Sequence, residues 1–370
     1  MAATLVGLSG IAARAQTDEE VSALIAEALL LPDWQNILTA TSGTGYKDNV
    51  FLSHADPEGA AFVLLSGEFL SFRTAPQGPR VNFFANAEAR HYFGNDISHQ
   101  EYTAFSQAMV EQDFNDTLTA SLLGQYYFQD QVLDVSVSET NREAVTVLGH
   151  TLSARPTLRV NLPRRLWLEL ESPVTRQYFD EPLDDYWEAG LKFTFGYKYR
   201  RDSQVALVYE PFWRPYDTDP ARTATGTAIP NSHRFSFQQN ARVVWRHHWD
   251  EEKHWRTVMT LGGRINEENG GDYYDYSKWF AAGRIEYHVH GWEISGEARY
   301  AGYHYPIQTV SATNPAHRER TEWTASVQIE RQLDEKVSVV GSYDYETTGS
   351  NDPLETYHVN TVSLSLRWEF

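Results

Sequence analysis

The chain has no cysteine in its 370 residues. That excludes a disulfide framework and thiolate metal ligation, and it suits a fold that is stable without covalent staples. Long apolar runs are missing too: no stretch approaches the roughly 18 consecutive apolar residues of a spanning helix, and mean hydropathy is −0.50. A helical membrane protein is excluded. Basic charge is also in deficit, with 31 Lys and Arg against 50 Asp and Glu and a net charge of −19. A general nucleic-acid binder would be basic, so nucleic acid is not an expected partner.

Aromatics are abundant: 21 Tyr, 18 Phe and 11 Trp. Low mean hydropathy with many aromatics suits a β-barrel, whose membrane character is hidden because only alternate residues face lipid. The last ten residues, TVSLSLRWEF, show this pattern most clearly. Val362, Leu364, Leu366, Trp368 and Phe370 alternate with Thr361, Ser363, Ser365, Arg367 and Glu369. Period two gives a strand with one apolar and one wet face. A closed barrel has no free edge, so this strand should pair with the first, near Ile37 to Tyr46.

Residues 1–15 read as a signal peptide, an apolar run ending in Ala13-Arg14-Ala15, with the basic n-region missing and the true start expected upstream. Residues 16–33 read as a short periplasmic amphipathic helix. Asp18, Glu19 and Glu20 sit at its start, an apolar stripe runs through Val21, Leu24, Ile25, Ala28 and Leu29, and Pro32 ends it. Residues 34–370 form the barrel domain. Alternation and turn residues predict strands at 34–47, 60–73, 80–92, 99–113, 116–129, 146–161, 164–178 and 185–200, then 203–214, 232–248, 254–266, 274–289, 291–304, 320–332, 335–347 and 356–370. The expected fold is an all-β, antiparallel up-and-down transmembrane barrel of about sixteen strands, with fourteen to eighteen possible. Long connections, among them 215–231 and 305–319, alternate with short ones such as Leu162-Pro163, as membrane barrels require. A soluble β-sandwich would have strands of five or six residues and no such alternation.

The inward phase is polar and charged. Arg234, Arg242, Arg246, Arg256, Arg264 and Arg284 form a basic arc over three consecutive strands, followed by Glu293, Glu297, Glu322 and Glu330, with Glu169 and Glu188 on the other side. These are the candidate pore-lining residues. Either the arc faces the acidic walls and sets a transverse field, or the residues pair between neighbouring strands; both readings stand. His247, His248, His254, His288 and His290 carry no ligand pattern with carboxylates, so no metal site is expected. No Ser–His motif of a lipid hydrolase is present, and no cofactor motif stands out. The chain is read as a non-enzyme.

The tail TVSLSLRWEF, ending in Trp368-Glu369-Phe370, resembles the closing strand of bacterial outer-membrane β-barrel proteins, in which a terminal Phe serves as an assembly signal. Ser42 to Ser53, SGTGYKDNVFLS, resembles the opening of porin-like barrels linked to exopolysaccharide and exosortase systems. The resemblance implies Gram-negative outer-membrane location, contact with lipid and lipopolysaccharide, insertion by the barrel-assembly machinery, and passage of small hydrophilic solutes, with a homo-oligomer such as a trimer as a class expectation. The alternative is a non-enzymatic scaffold or export component with a plugged lumen.

Overall fold

The computed structural model describes residues 34–73, 78–94, 98–136, 144–181, 183–311 and 314–370. The expected signal peptide and N-terminal helix lie outside them. Eighteen strands among the described residues form one sheet. They are β1 Trp34–Lys47, β2 Ala60–Arg73, β3 Arg80–Phe93, β4 Ser98–Asp113, β5 Leu118–Asp134, β6 Ala144–Asn161, β7 Leu166–Glu171, β8 Val174–Phe179 and β9 Tyr186–Gly190. The rest are β10 Lys192–Lys198, β11 Gln204–Pro215, β12 Phe235–His248, β13 Trp255–Glu268, β14 Tyr276–Val289, β15 Trp292–Ser311, β16 Asn314–Gln332, β17 Val337–Ser350 and β18 Tyr357–Glu369.

These eighteen strands make sixteen staves, because β7 with β8, and β9 with β10, are single staves interrupted at mid-height. Glu171 faces Thr157 and Val174 faces Ala154, the same register on both sides of the first break. The second break also keeps register, with Gly190 opposite Phe212 and Phe193 opposite Tyr209. Pro156, Pro173 and Pro211 lie around both breaks, and a proline has no N–H to give the ladder. The barrel closes where β1 pairs antiparallel with β18, from Thr39 opposite Glu369 to Lys47 opposite Thr361. Phe370 N–H donates to Leu38 O at 2.9 Å and finishes the seam.

The predicted phase holds on the wall. Leu65, Leu261, Trp279 and Leu364 are 55–63% exposed on the outside, beside polar inward neighbours such as Ser66, Ser363 and Ser365. A closed sheet with an apolar exterior leaves no backbone group unpaired in lipid, so this is an outer-membrane-type barrel. Sixteen strands spaced about 4.8 Å apart and tilted about 40° give a backbone diameter of about 30 Å.

One expected loop is sheet. β15 continues to Ser311 and β16 starts at Asn314, so most of 305–319 is a hairpin protruding beyond the wall. Its register shifts between His304 and Thr309, and once past the membrane neither face of a strand needs to be apolar. β5 likewise extends to Asp134 and β6 begins at Ala144.

Candidate functional site in the barrel lumen

Alternate residues of the staves point inward and line, among others, three adjoining cavities. The mid-lumen cavity, about 580 Å³, has serine hydroxyls from β2, β15, β16, β17 and β18 around Glu68, Glu88, Arg90, Glu297 and Asp344. Through Glu68, Phe84, Phe105 and Arg367 it shares walls with a vestibule of about 1070 Å³ at the short-turn end. Through Arg284 and Glu297 it shares walls with a cavity of about 430 Å³ that Arg246, Arg256 and Glu286 also line.

The expected basic arc is engaged mainly with neighbouring staves. Arg242 Nη1 reaches Glu210 Oε2 at 2.8 Å. Arg256 Nη1 and Arg284 Nε meet the two oxygens of one carboxylate, Glu286, at 3.1 and 2.8 Å. Arg264 donates to Gln238 Oε1 at 3.4 Å and lies over the Phe212 ring. Arg246 is exposed in the smallest cavity. Arg234 departs from expectation: it precedes β12 and is 2% exposed, stacked on Tyr216 and Tyr274 and ion-paired with Asp219 at 2.9 Å. Loop 216–234 folds over it.

The carboxylates are held similarly. Glu169 is 3.8 Å from Arg159 and Glu188 is 2.7 Å from Arg214. Glu322 accepts from the Tyr303 hydroxyl at 2.9 Å. Glu330 pairs with Arg367, next to Trp368 in the closing strand. Glu293 faces the short-turn vestibule, 3.6 Å from His288 Nδ1. Glu297 has only a 4.0 Å contact with Arg299 and faces two cavities. One positive and one negative wall thus become interleaved pairs, with Arg246, Arg284 and Arg299 well exposed and Glu297 weakly paired. Arg299 was not singled out in the sequence, although it is in phase with Glu297 and its side chain is 68% exposed.

The long-loop mouth carries the most buried charge. Arg320 Nη2 donates to Asp134 Oδ2 at 2.6 Å, and Arg320 Nη1 to Ser136 Oγ. Arg318 Nη2 donates to Ser136 O at 2.9 Å, Nη1 to Gln308 Oε1 at 2.8 Å, and Nε lies 2.7 Å from Glu355 Oε1. Six staves separate β5 from β16 one way round the barrel and eight the other. The chain at the end of β5, from Asp134 to Ser136, therefore reaches across the mouth to dock on β16. Alternation does not reveal this group, because it places 130–145 and 305–319 in loops. The available signal was the same-face spacing of Arg318, Arg320 and Glu322.

The first long loop is fixed by the Gly-Tyr-x-Asp-Asn-Val-Phe stretch. A side chain at Gly45 would collide with Phe62, whose ring fills that place. Both Asp48 carboxylate oxygens accept from Asn360, each at 2.7 Å, Asn49 donates to Ser53 O at 2.9 Å, and Val50 is fully buried. Across the mouth, the Asp217 carboxyl is held low by its hydrogen bond from Arg176, while burial pushes Asp219 up against the pull of Arg234 and Arg222. Among the described residues, no three His, Asp or Glu side chains converge as a metal site would require.

No family model matches the chain, and no curated protein matches it. Among solved structures it is similar to OccAB1 of Acinetobacter baumannii, with a TM-score of 0.49 and 9% identity over 92% of this chain and 97% of that one. It is also similar to the outer membrane protein OprD from Pseudomonas aeruginosa, at 0.45 and 9% over 92% and 94%. A bacterial polysaccharide outer membrane secretin aligns at 0.41 and 9% over 90% and 98%.

Proposed function

We propose that this barrel is an outer-membrane channel for small hydrophilic solutes. One observation carries the reading: a serine- and charge-lined cavity at mid-lumen adjoins, through shared wall residues, both a wide vestibule at the short-turn end and a second charged cavity inside the wall. At sixteen strands the interior is too wide for side chains alone to fill, which favours an aqueous lumen. Serine hydroxyls replace hydration, and the interleaved Arg and Glu groups favour solutes bearing both donors and acceptors.

Selectivity in this reading rests on Arg246, Arg284 and Glu297, which line the cavities, and on the exposed Arg299 in phase with Glu297. The end of β5 docked across the mouth is a constriction above them. Passage through it is by diffusion, with no chemical step assigned. Phe370 at the seam is proposed as the assembly signal of the closing strand.

Planar-bilayer recording of the purified chain tests the reading. Discrete conductance steps with a measurable ion preference are expected. Absence of conductance at every voltage would overturn it and leave a scaffold with a closed lumen.

A further inference from the structure

The short-turn rim of this acidic chain has one strongly basic sector. Arg164 and Arg165 form the turn between β6 and β7, and Arg200 and Arg201 lie in the turn between β10 and β11. All four are exposed, and among the described residues none makes an ion pair. The turns are neighbours: Leu166 faces Tyr197 across the sheet, and Arg165 Nη1 donates to Tyr199 O at 3.4 Å. Of the nearby acids, one is engaged elsewhere at the rim, one pairs inside the lumen, and Asp116, exposed, belongs to the flanking β4–β5 turn. Asp202 holds Lys253 at 3.2 Å, Glu169 holds Arg159 inside the lumen, and Glu251 and Glu252 belong to the next turn.

The backbone gives a second, independent observation. Arg164 and Arg165 have φ of 60° and 66°, a left-handed conformation that Gly or Asn adopts more readily. Among the described residues, the other non-glycine residues with positive φ at this rim, Lys253 and His290, are basic too, whereas those at the long-loop rim are Leu52, Asn231 and Asp272. Backbone strain retained at basic side chains points to a use for the side chains.

The third observation is what adjoins the patch. Leu168, Phe195, Tyr197 and Leu207 are exposed on the outer wall beside these turns. His247 stacks between Trp245 and Tyr199 at centroid distances of 5.2 and 5.9 Å, with Trp249 edge-on at 4.5 Å. Aromatic residues gather where acyl chains meet headgroups. The four guanidiniums therefore sit at headgroup level, above a wall that holds acyl chains, and guanidinium forks match phosphate oxygens.

We propose that Arg164, Arg165, Arg200 and Arg201 bind the phosphate of an anionic phospholipid in the leaflet at the short-turn rim, periplasmic in barrels of this class. The site rests on the lipid-facing wall and is independent of conduction. A basic residue near an anionic surface contributes about 1 kcal/mol, roughly fivefold in affinity.

The test is native mass spectrometry of the full-length chain in neutral detergent, with phosphatidylglycerol or phosphatidylcholine added. The variants are Arg164→Asn with Arg165→Asn, which keeps a residue that tolerates the turn, then Arg200→Ser with Arg201→Ser, then all four. Wild type should retain phosphatidylglycerol about tenfold more than phosphatidylcholine, each double variant should lose part of that preference, and the fourfold variant all of it. The Arg200 and Arg201 pair does not touch the left-handed turn, so its loss of preference with an unchanged Tm cannot be misfolding. Equal retention of both lipids by wild type, or undiminished phosphatidylglycerol retention by the fourfold variant, would overturn the site. So would unchanged lipid retention in a variant that loses crosslinking to an acidic periplasmic protein.

Discussion

Arg320, on β16, donates to Asp134, at the far end of β5, across the mouth of the barrel at 2.6 Å. The contact joins residues 186 apart in sequence, and the guanidinium is 3% exposed. Removing one partner of a buried pair strands the other and costs about 3–5 kcal/mol. Arg318 holds the same segment through the Ser136 carbonyl and is anchored by Glu355. Two arginines thus dock the end of β5 across the opening, with one carboxylate from each side.

Arg320→Ala should therefore free the end of β5 while leaving the wall intact. Hydrogen exchange should accelerate at residues 134–136, with single-channel conductance rising. Arg318→Ala should do the same, and the double variant should exceed either single one. Unchanged exchange at these residues would mean that other contacts hold the segment down. Faster exchange with unchanged conductance would mean that the segment does not limit flow.

Arg284 and Arg242 differ in what they face, and so should their variants. Arg284 borders two cavities with its side chain 50% exposed, whereas Arg242 is 22% exposed and paired with Glu210. Arg284→Ala should shift reversal potential toward cation preference, and Arg242→Ala should shift it less. Identical shifts in salt-gradient recordings would show that lumen charge acts as a sum and not through these positions.

A pH response should come from the loop between β13 and β14. Burial, helped by Asp272 and Glu267, pushes the Asp275 carboxyl up to about 6, against the backbone N–H of Glu268 that it accepts at 2.7 Å. A folded-state pKa above the ordinary value of 3.8 means the folded loop holds its proton more tightly than the unfolded chain. The loop's stability therefore falls as pH rises from about 4 to about 6 and stays lower above that. Limited proteolysis at 269–275 should be slower at pH 5 than at pH 7.5. Asp275→Asn keeps the acceptor and should remove the difference.

How much of this was legible in the sequence depended on what each residue faces. β1 and β2 run Trp34–Lys47 and Ala60–Arg73, as alternation predicts, because lipid on one side and water on the other impose period two. The same signal fails in β16 before Arg320. There Arg318 and Arg320 are the buried phase and His317 and Glu319 the exposed one, so the apolar cue is reversed. Charge signs could be read along each strand, but partners could not. Arg256 and Arg284 sharing Glu286, and Arg234 turning under Tyr216 and Tyr274, are set by register and by a loop that alternation does not constrain. Arg320 and Asp134 lie even further beyond sequence reading, since no local pattern connects staves on opposite sides of a lumen.

The closing strand gives the sharpest test of phase. Leu364 and Ser363 are adjacent in β18, yet Leu364 is 60% exposed on the outer wall, while Ser363 lines the mid-lumen cavity and bonds Ser342 Oγ at 2.7 Å. An arginine on the lipid face near the midplane costs about 2–4 kcal/mol. Leu364→Arg should lower refolding stability into bilayers by about that much. Ser363→Arg gives up one hydroxyl–hydroxyl bond and gains water and the Asp344 carboxylate that lines the same cavity, so its cost should stay near 1 kcal/mol. Urea titrations in matched vesicles measure both. A larger penalty at 363 than at 364 would invert the wall's phase, turning the serine-lined interior outward and removing the lumen with it.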